Sequence, residues 1–201
     1  MEKPAENQYP VHELIKRRWS PRAFSAQSVE PEKLRSLLEA ARWAASCFNA
    51  QPWSFIVATK DNAAEYERLL DCLVESNARW ARSAPVLMLS VAQLNFEHNG
   101  KPNRHALHDV GLAVATLTLE ATARGLALHQ MAGFDLAKAR EQFKIPNGYE
   151  PVAAIALGYA DNPQSLPEEL RERELAPRTR RPLESFVFAG SFGQTSPLLK
   201  Q

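Results

Sequence analysis

The sequence has little cysteine, few glycines and no excess of charge of one sign. Its 201 residues include two cysteines, Cys47 and Cys72, which cannot form a disulfide framework and whose spacing matches no metal motif. The 24 basic and 23 acidic residues nearly balance, which argues against a protein that binds nucleic acid with a basic face. No apolar run reaches the roughly eighteen residues of a membrane span. These absences predict a protein of a reduced, cytoplasmic compartment with no nucleic-acid or membrane partner.

Length and hydrophobic spacing predict one α+β domain over 1–201, with a central sheet flanked by helices. The strand-like runs with aromatic, β-branched or continuous apolar content are 53–59, 86–91, 126–131 and 151–159. The run at 86–91 is apolar almost throughout, which is typical of a central strand covered on both faces. The longest helical pattern, 105–124, is apolar nearly all round and predicts burial in a core or a subunit interface.

The two ends of the chain differ from this regular middle. Residues 1–10 are polar without an apolar core, so we expect an N-terminal tail and no signal peptide. Residues 160–201 are rich in Pro, Arg and Glu and have little periodicity. We therefore expect an extended C-terminal arm.

The densest chemical signal is the segment 16–24, with four cations, one hydroxyl and two aromatic rings. Pro21 disfavours a helical conformation at Ser20, so the segment should be extended. Arg18, Ser20 and Arg22 then share one face, because side chains in extended backbone alternate. Arginine forks and a hydroxyl together suit an anion such as phosphate. A cation run is more often a solvated surface, and Arg22 could equally pair with a surface carboxylate such as Glu32.

Four separated segments resemble, in the same order, the nitroreductase family of flavin mononucleotide (FMN) oxidoreductases. They are residues 18–24 (RWSPRAF), 44–55 (AASCFNAQPWSF), 130–135 (QMAGFD) and 178–183 (RTRRPL). The resemblance implies a nitroreductase-like fold with a mixed or antiparallel sheet, in which the C-terminal arm extends onto a dimer partner. It also implies a homodimer with two FMN sites at its interface, each built from both chains.

The resemblance assigns cofactor-binding positions along the whole chain. Those for the phosphate and ribityl chain are Arg18, Ser20, Arg178 and Arg180. Those from the partner chain are Ser46, Cys47 and Asn49. Those beside the ring are Arg22 at the N1 and C2 carbonyl edge, and Gln130, Met131, Ala132 and Gly133 along the edge that carries N5.

Some positions depart from the family pattern. Trp19 stands where a small polar or basic residue is common, so its ring could form a wall of the site. Ala45 replaces the usual proline. Ala132 replaces an acidic residue of one branch of the family and removes a carboxylate near the reacting edge. Backbone contacts at this position remain available, and we do not carry the substrate preference of that branch over to this chain.

The chemistry implied is hydride transfer from NAD(P)H, bound transiently, to flavin N5 and then to an electron-poor acceptor in a ping-pong cycle. Nitroaromatics and quinones are the expected acceptors because flat, electron-poor molecules can stack on the ring. The cofactor carries this chemistry, so no protein residue is assigned as catalytic. The alternatives are a flavin-binding or regulatory protein without turnover, and a relative that performs another flavin redox reaction.

Two further residue groups are explained more simply by a structural role than by metal binding or redox chemistry. His105 and His108 lie one helical turn apart, but no ligand set is completed around them, so we expect no metal. Cys47 lies in the proposed flavin segment, yet no second cysteine is placed to resolve a disulfide. A packed thiol is the preferred interpretation.

Overall fold

The centre of the protein is a four-stranded antiparallel sheet in a computed structural model that describes residues 2–199. The strand order is β1-β2-β4-β3. The strands are β1 (Trp53–Thr59), β2 (Val86–Gln93), β3 (Ala127–Met131) and β4 (Tyr149–Gly158). All neighbouring strands pair antiparallel, so the sheet is antiparallel rather than mixed.

Strand β2 is the central strand that its apolar sequence predicts. Seven of its eight residues are buried, and it pairs with β1 on one side and β4 on the other. Its one interior hydroxyl, on Ser90, donates to the Ala153 carbonyl oxygen at 3.1 Å, next to a shift of register between Ser90 and Val91. That hydrogen bond satisfies a buried polar group that would otherwise be costly.

Seven α-helices surround the sheet within the described range, 2–199. They are α1 (Glu13–Arg17), α2 (Pro31–Arg42), α3 (Ala63–Leu70), α4 (Glu75–Ala81), α5 (Ala106–Ala123), α6 (Leu136–Gln142) and α7 (Glu168–Leu175). Several begin as their sequences predict: proline opens α2, and the side chains of Asn62 and Asp135 cap α3 and α6. Gly125 follows α5 with φ of 74°, where a residue without Cβ ends a helix at little cost.

The core consists of two apolar clusters, one on each face of the sheet. Alternate residues of β2 belong to different clusters: Leu87 and Leu89 to one, Val86 and Met88 to the other. Helices α3 and α4 cover the first face, and α2 and α5 cover the second. Because side chains of a strand alternate between its two faces, the two clusters lie on opposite sides of the sheet.

The C-terminal region contains a helix that the sequence did not indicate. Residues 160–201 were expected to be an extended arm, but α7 lies within them. Its sequence is largely Glu and Arg with little amphipathic pattern, so periodicity gave no signal. Acidic side chains in its first turn, Glu168 and Glu169, favour it through the helix dipole. The rest of the described arm contains short 3₁₀ turns.

The N-terminal tail is attached to the body of the protein near its start. The backbone N–H of Ala5 donates to the Lys16 carbonyl oxygen at 2.8 Å. Residue 1 of the predicted tail and residues 200–201 of the predicted arm lie outside the described residues. Within 2–199, no helix combines the length and hydropathy needed to cross a membrane.

Candidate functional site

The cationic segment leaves α1 in an extended conformation. Arg18, the residue after the helix, has φ of −58° and ψ of 123°. Its guanidinium donates to the Ser20 hydroxyl oxygen at 3.3 Å, so these two side chains lie on one face of the segment. Trp19 lines a neighbouring cavity of about 250 Å³, and the Lys3 ammonium lies 5.5 Å from the centre of its ring.

Arg178 and Arg180 come from the far end of the chain to the same place as Arg18. Burial lowers the pKa of Arg18, and the charges of Arg178 and Arg180 lower it further. Burial and the Arg180 charge also lower the pKa of Arg178. Among residues 2–199, none of these three arginines forms a salt bridge. We call Arg18, Arg178 and Arg180 the arginine cluster.

The members of the arginine cluster differ in their hydrogen bonds. Arg178 donates to three main-chain carbonyl oxygens: from Nη1 to Lys3 at 2.6 Å and Lys16 at 3.3 Å, and from Nη2 to Arg18 at 2.9 Å. It therefore fastens the N-terminal tail to the cationic segment. Among residues 2–199, Arg180 donates only to the adjacent Thr179 carbonyl oxygen, at 2.7 Å, and it is exposed. Arg18 and Arg180 retain most of their donors for an external anion.

Arg22 pairs with a carboxylate, but not with Glu32. Its Nη1 lies 3.6 Å from Glu174 Oε2, and its backbone N–H donates to Glu174 Oε1 at 2.8 Å. The Glu174 side chain is only 1% exposed. The partner of Arg22 is thus a buried residue of α7, brought from 152 positions away.

His129 contacts the cationic segment and is not among the residues predicted from the sequence. Its Nδ1 lies 2.8 Å from the Pro21 carbonyl oxygen, and its ring packs 4.6 Å from the Trp80 ring. Burial lowers its pKa to about 4, the Pro21 hydrogen bond opposes that shift, and the charge of Arg22 adds to it. The available signal was its position, directly before the 130–135 segment on a strand.

The end of β3 and the turn after it carry the predicted ring-side residues. Gln130 and Ala132 are exposed, while Met131 is buried. A Cβ added to Gly133 would lie 2.6 Å from the Asn77 side-chain nitrogen and 2.8 Å from Val74 Cγ2. Packing against α4 thus favours glycine at this position, independently of any ring, because a larger residue would displace the Asn77 or Val74 side chain. Asn77 also donates from Nδ2 to the Gly133 carbonyl oxygen at 3.0 Å.

Residues 46–51 form a tight loop at a different place. The Cys47 N–H donates to Oδ2 of the buried Asp109 at 2.9 Å, and Ser46 Oγ accepts from the Gln51 N–H at 3.0 Å. Phe48, Asn49 and Gln51 have φ of 52°, 53° and 47°, a region that non-glycine residues seldom adopt. The Phe48 side chain is 85% exposed.

Helix α5 separates this loop from the arginine cluster. Asp109, which holds the loop, is in the first turn of α5, whereas Thr122 near its end shares a cavity with Arg18 and Trp19. Thirteen residues at 1.5 Å each place these two ends about 20 Å apart. Within one chain, the structure therefore brings together Arg18, Ser20, Arg178 and Arg180, but not Ser46, Cys47 and Asn49 with them.

The histidines near the start of α5 do not alter this picture. His108 Nδ1 lies 3.0 Å from Asp109 Oδ1, and the His105 and His108 rings are 6.5 Å apart. No group of three or more His, Cys, Asp or Glu side chains with metal-binding geometry occurs within 2–199.

Comparison with known proteins identifies the family. The sequence model described as "Nitroreductase family" matches residues 15–159, which is most of the chain. The chain belongs to the nitroreductase family, as the four sequence segments indicated.

Two relatives and one solved structure show the extent of the similarity. An uncharacterised 15.4 kDa protein of Mycolicibacterium smegmatis is 36% identical over 133 residues, covering 66% of this chain and 88% of that protein. A protein of Polynucleobacter asymbioticus, named by inference as an NADH dehydrogenase/NAD(P)H nitroreductase, is 30% identical over 162 residues, covering 71% and 81%. A solved structure described as an oxidoreductase containing FMN has a TM-score of 0.89 and 34% identity, covering 94% of this chain and 96% of that chain.

Proposed function

We propose that this protein is an FMN-dependent oxidoreductase that uses NAD(P)H to reduce small, electron-poor acceptors. The observation that carries the proposal is the arginine cluster: Arg18, Arg178 and Arg180 line one cavity of about 800 Å³, and Arg18 donates to the Ser20 hydroxyl. Holding like charges together is unfavourable unless an anion offsets them. The FMN-containing relative and the nitroreductase names of others support FMN as the source of that anion.

The residues present fit a terminal phosphate. Arg18 and Arg180 supply free, forked donors, and Ser20 supplies a hydroxyl on the same face as Arg18. Arg178 has a different part in our proposal, because its donors hold the carbonyl groups of Lys3, Lys16 and Arg18. It would shape the phosphate site and contribute charge without being its main ligand.

The remaining assigned residues would orient the ring. Arg22 would hold a positive charge at the edge that gains electron density on reduction, and residues 130–133 would lie along the edge that carries N5. FMN, when bound, supplies the chemistry: it accepts a hydride from NAD(P)H and passes two electrons to the acceptor in a ping-pong cycle. No side chain is needed as a general acid or base in this scheme.

A second copy of the chain would complete the site. The outer face of α5 is largely apolar: Leu107 and Leu112 are 48% and 36% exposed, Gly111 and Ala115 are also exposed, and His108 is a polar residue among them. A largely apolar exposed helix face is typical of an interface. A two-fold axis through it would set the two α5 helices antiparallel, so that the start of one lies near the end of the other. Residues 46–49 of each copy would then approach the arginine cluster of its partner.

The arm would add to this interface. Phe186, Phe192 and Leu198 are 49%, 94% and 83% exposed, which a monomer gains nothing by presenting to water. In our proposal the whole chain is one domain whose residues 160–201 extend over the partner. The two cysteines are unpaired, as a reducing cytoplasm would keep them.

Released cofactor, binding and turnover test the proposal. We expect FMN, identified by chromatography, in the purified protein, and rapid reduction of that flavin by NAD(P)H in stopped flow. Arg18→Ala or Arg180→Ala should weaken FMN binding by about 1.5–3 kcal/mol while leaving riboflavin binding unchanged, because only the phosphate contact is lost. Arg35→Ala, an exposed arginine on α2, is the control.

The opposite results are equally clear. Recovery of FAD alone, or an equal loss of riboflavin affinity, would contradict the phosphate assignment. Flavin that binds but is not reduced would identify a binding protein without turnover. A monomeric mass by light scattering at micromolar concentration, with flavin still bound, would contradict the two-chain site.

A further inference from the structure

Glu174 is a buried carboxylate that holds the main chain of the cationic segment. It lies in the last turn of α7 and is 1% exposed. Its Oε1 accepts hydrogen bonds from two consecutive backbone N–H groups, Arg22 at 2.8 Å and Ala23 at 3.2 Å. A carboxylate that binds two main-chain donors fixes the position of the segment, because charge-assisted hydrogen bonds are short and strong. The segment it fixes is the one that carries Arg22.

The second oxygen of this carboxylate is left without a hydrogen bond. Glu174 Oε2 is buried and has no hydrogen-bond partner among residues 2–199. Its nearest cation is Arg22 Nη1, at 3.6 Å, beyond the 2.7–2.9 Å of a charge-assisted hydrogen bond. A buried oxygen of this kind is costly and calls for an explanation.

The Arg22 guanidinium is the other member of this pair, and it is partly exposed to water. Its side chain is 27% exposed, and within the part of the chain that the structure describes its guanidinium donates no hydrogen bond. The attraction to Glu174 therefore holds the guanidinium in place while its donors stay available. A closed, bidentate pair would have consumed those donors.

Cations lie beside Glu174 in the part of the chain that the structure describes. Lys3 Nζ donates to the Glu174 main-chain carbonyl oxygen. Burial lowers the pKa of Lys3, the Glu174 charge opposes this shift, and the charges of Arg178 and Arg22 add to it. Glu174 thus contributes a single negative charge among Lys3, Arg22 and Arg178.

We propose that Glu174 is a positioning residue of the flavin site, which fixes the backbone of Arg22 and Ala23, holds the Arg22 guanidinium toward the ring, and tempers its charge. This inference rests on the proposed function. Because reduction adds negative charge to the flavin, a nearby carboxylate opposes reduction and lowers the two-electron potential. Glu174 then sets the potential in opposition to Arg22.

A flavin-free measurement tests the anchoring. In protein stripped of flavin, Glu174→Ala should raise the hydrogen-exchange rates of the Arg22 and Ala23 amides at least about tenfold, because both lose their acceptor. Glu174→Gln retains an acceptor oxygen and should raise them less. Glu172→Ala, an exposed residue of the same helix, is the matched control and should leave both amides unchanged. Unchanged exchange in both Glu174 variants would overturn the anchoring role.

The reduction potential tests the charge. With FMN bound, Glu174→Gln should make two-electron reduction about tenfold more favourable than in the parent, which corresponds to about 30 mV. Glu172→Gln removes the same charge from the surface of α7 and should shift the potential far less. Equal potentials in the two variants would overturn the tuning role, even if both fold and bind FMN. A parent that binds no FMN would instead refute the proposed function, and the amide-exchange result would still decide whether Glu174 anchors the segment.

Discussion

The regions at the two ends of α5 are held in place by different kinds of interaction. The end near Thr122 gathers long cationic side chains with free donors around the buried Glu174. The end near Asp109 carries a loop with positive φ angles and an exposed aromatic ring, Phe48. Each is held by one buried carboxylate that accepts a backbone N–H from the functional segment. Charged side chains dominate the end near Thr122, and backbone conformation dominates the end near Asp109.

This difference predicts which perturbations act where. Changes of pH and of side-chain charge should act mainly on the cationic end, because its members are coupled through a shared, partly buried field. Changes of backbone freedom should act on the loop end. Each end depends on a carboxylate from a distant part of the chain. Removal of either carboxylate should therefore destabilise mainly the end that it holds.

The largest expected effect is on pH-dependent stability through His129 at the cationic end. Its pKa is about 4 in the folded protein and about 6.5 when unfolded, because burial disfavours the charged ring. The depressed pKa means that stability is full above pH 6.5 and is lost as pH falls from 6.5 to 4. At 1.36 kcal/mol per unit, the loss is about 3 kcal/mol. Denaturant unfolding at pH 7 and pH 4 should show a drop in stability that is about 3 kcal/mol smaller in His129→Asn than in the parent.

The control for that measurement is His98→Asn, an exposed histidine in the loop between β2 and α5. It should keep the drop of the parent. A His129→Asn variant with the same drop as the parent would place the titrating group elsewhere and remove the distinction between the two ends.

The next effect is on the Arg22 and Glu174 pair. Arg22→Gln leaves a buried carboxylate without its cation, and breaking such pairs costs about 3–5 kcal/mol when both groups are fully buried. Because Arg22 is 27% exposed and 3.6 Å from its partner, we expect about 2.5 kcal/mol, by discounting that range. The double substitution Arg22→Gln with Glu174→Gln should restore part of the loss, measured by denaturant unfolding. Additive losses in the double variant would show that the pair is not coupled.

The sequence could predict the elements with strong local patterns. Strand β2 and helix α5 lie where continuous or periodic apolar residues place them, and Asn62 and Asp135 cap helices as expected. Helix α7 was missed because a run of Glu and Arg carries little hydrophobic period. Local pattern, where it exists, is sufficient for the element.

The sequence could not predict the contacts that join distant segments. Glu174 looks like one more charged residue in a Glu-rich stretch, yet it binds the backbone of Arg22 from 152 positions away. Asp109 lies in a helical pattern that is otherwise nearly all apolar, yet its oxygen accepts the Cys47 N–H from 62 positions away. Arg178 donates hydrogen bonds to the Lys3 and Arg18 carbonyl oxygens, and these contacts also depend on the folded path of the tail. Such pairings follow from tertiary structure, and no spacing rule encodes them.

At the loop end, removal of the carboxylate should matter more than removal of its charge. Asp109→Ala leaves the half-buried Cys47 N–H without its acceptor, at a cost of about 2 kcal/mol. Asp109→Asn keeps one oxygen and should lose about half of that, provided that it points the oxygen to Cys47. Thermal or denaturant unfolding gives both values, and hydrogen exchange at the Cys47 amide locates the change. An equal loss in both variants would mean that charge, and not acceptor geometry, stabilises this end.

The smallest effect concerns backbone strain in the same loop. Gln51 has φ of 47°, and a left-handed conformation costs a residue with Cβ about 1–2 kcal/mol. Glycine removes this cost but adds about 0.5–1 kcal/mol of chain entropy in the unfolded state. Gln51→Gly should therefore be more stable than Gln51→Ala by about 1 kcal/mol, since both lose the side-chain hydrogen bond to the Asn49 carbonyl oxygen and differ only in Cβ. The same pair of substitutions at Arg35, in the middle of α2, should give the opposite order, because glycine is the poorer helix residue there. If alanine is the more stable choice at both positions, residue 51 is not strained, and the loop end is held by its hydrogen bonds alone.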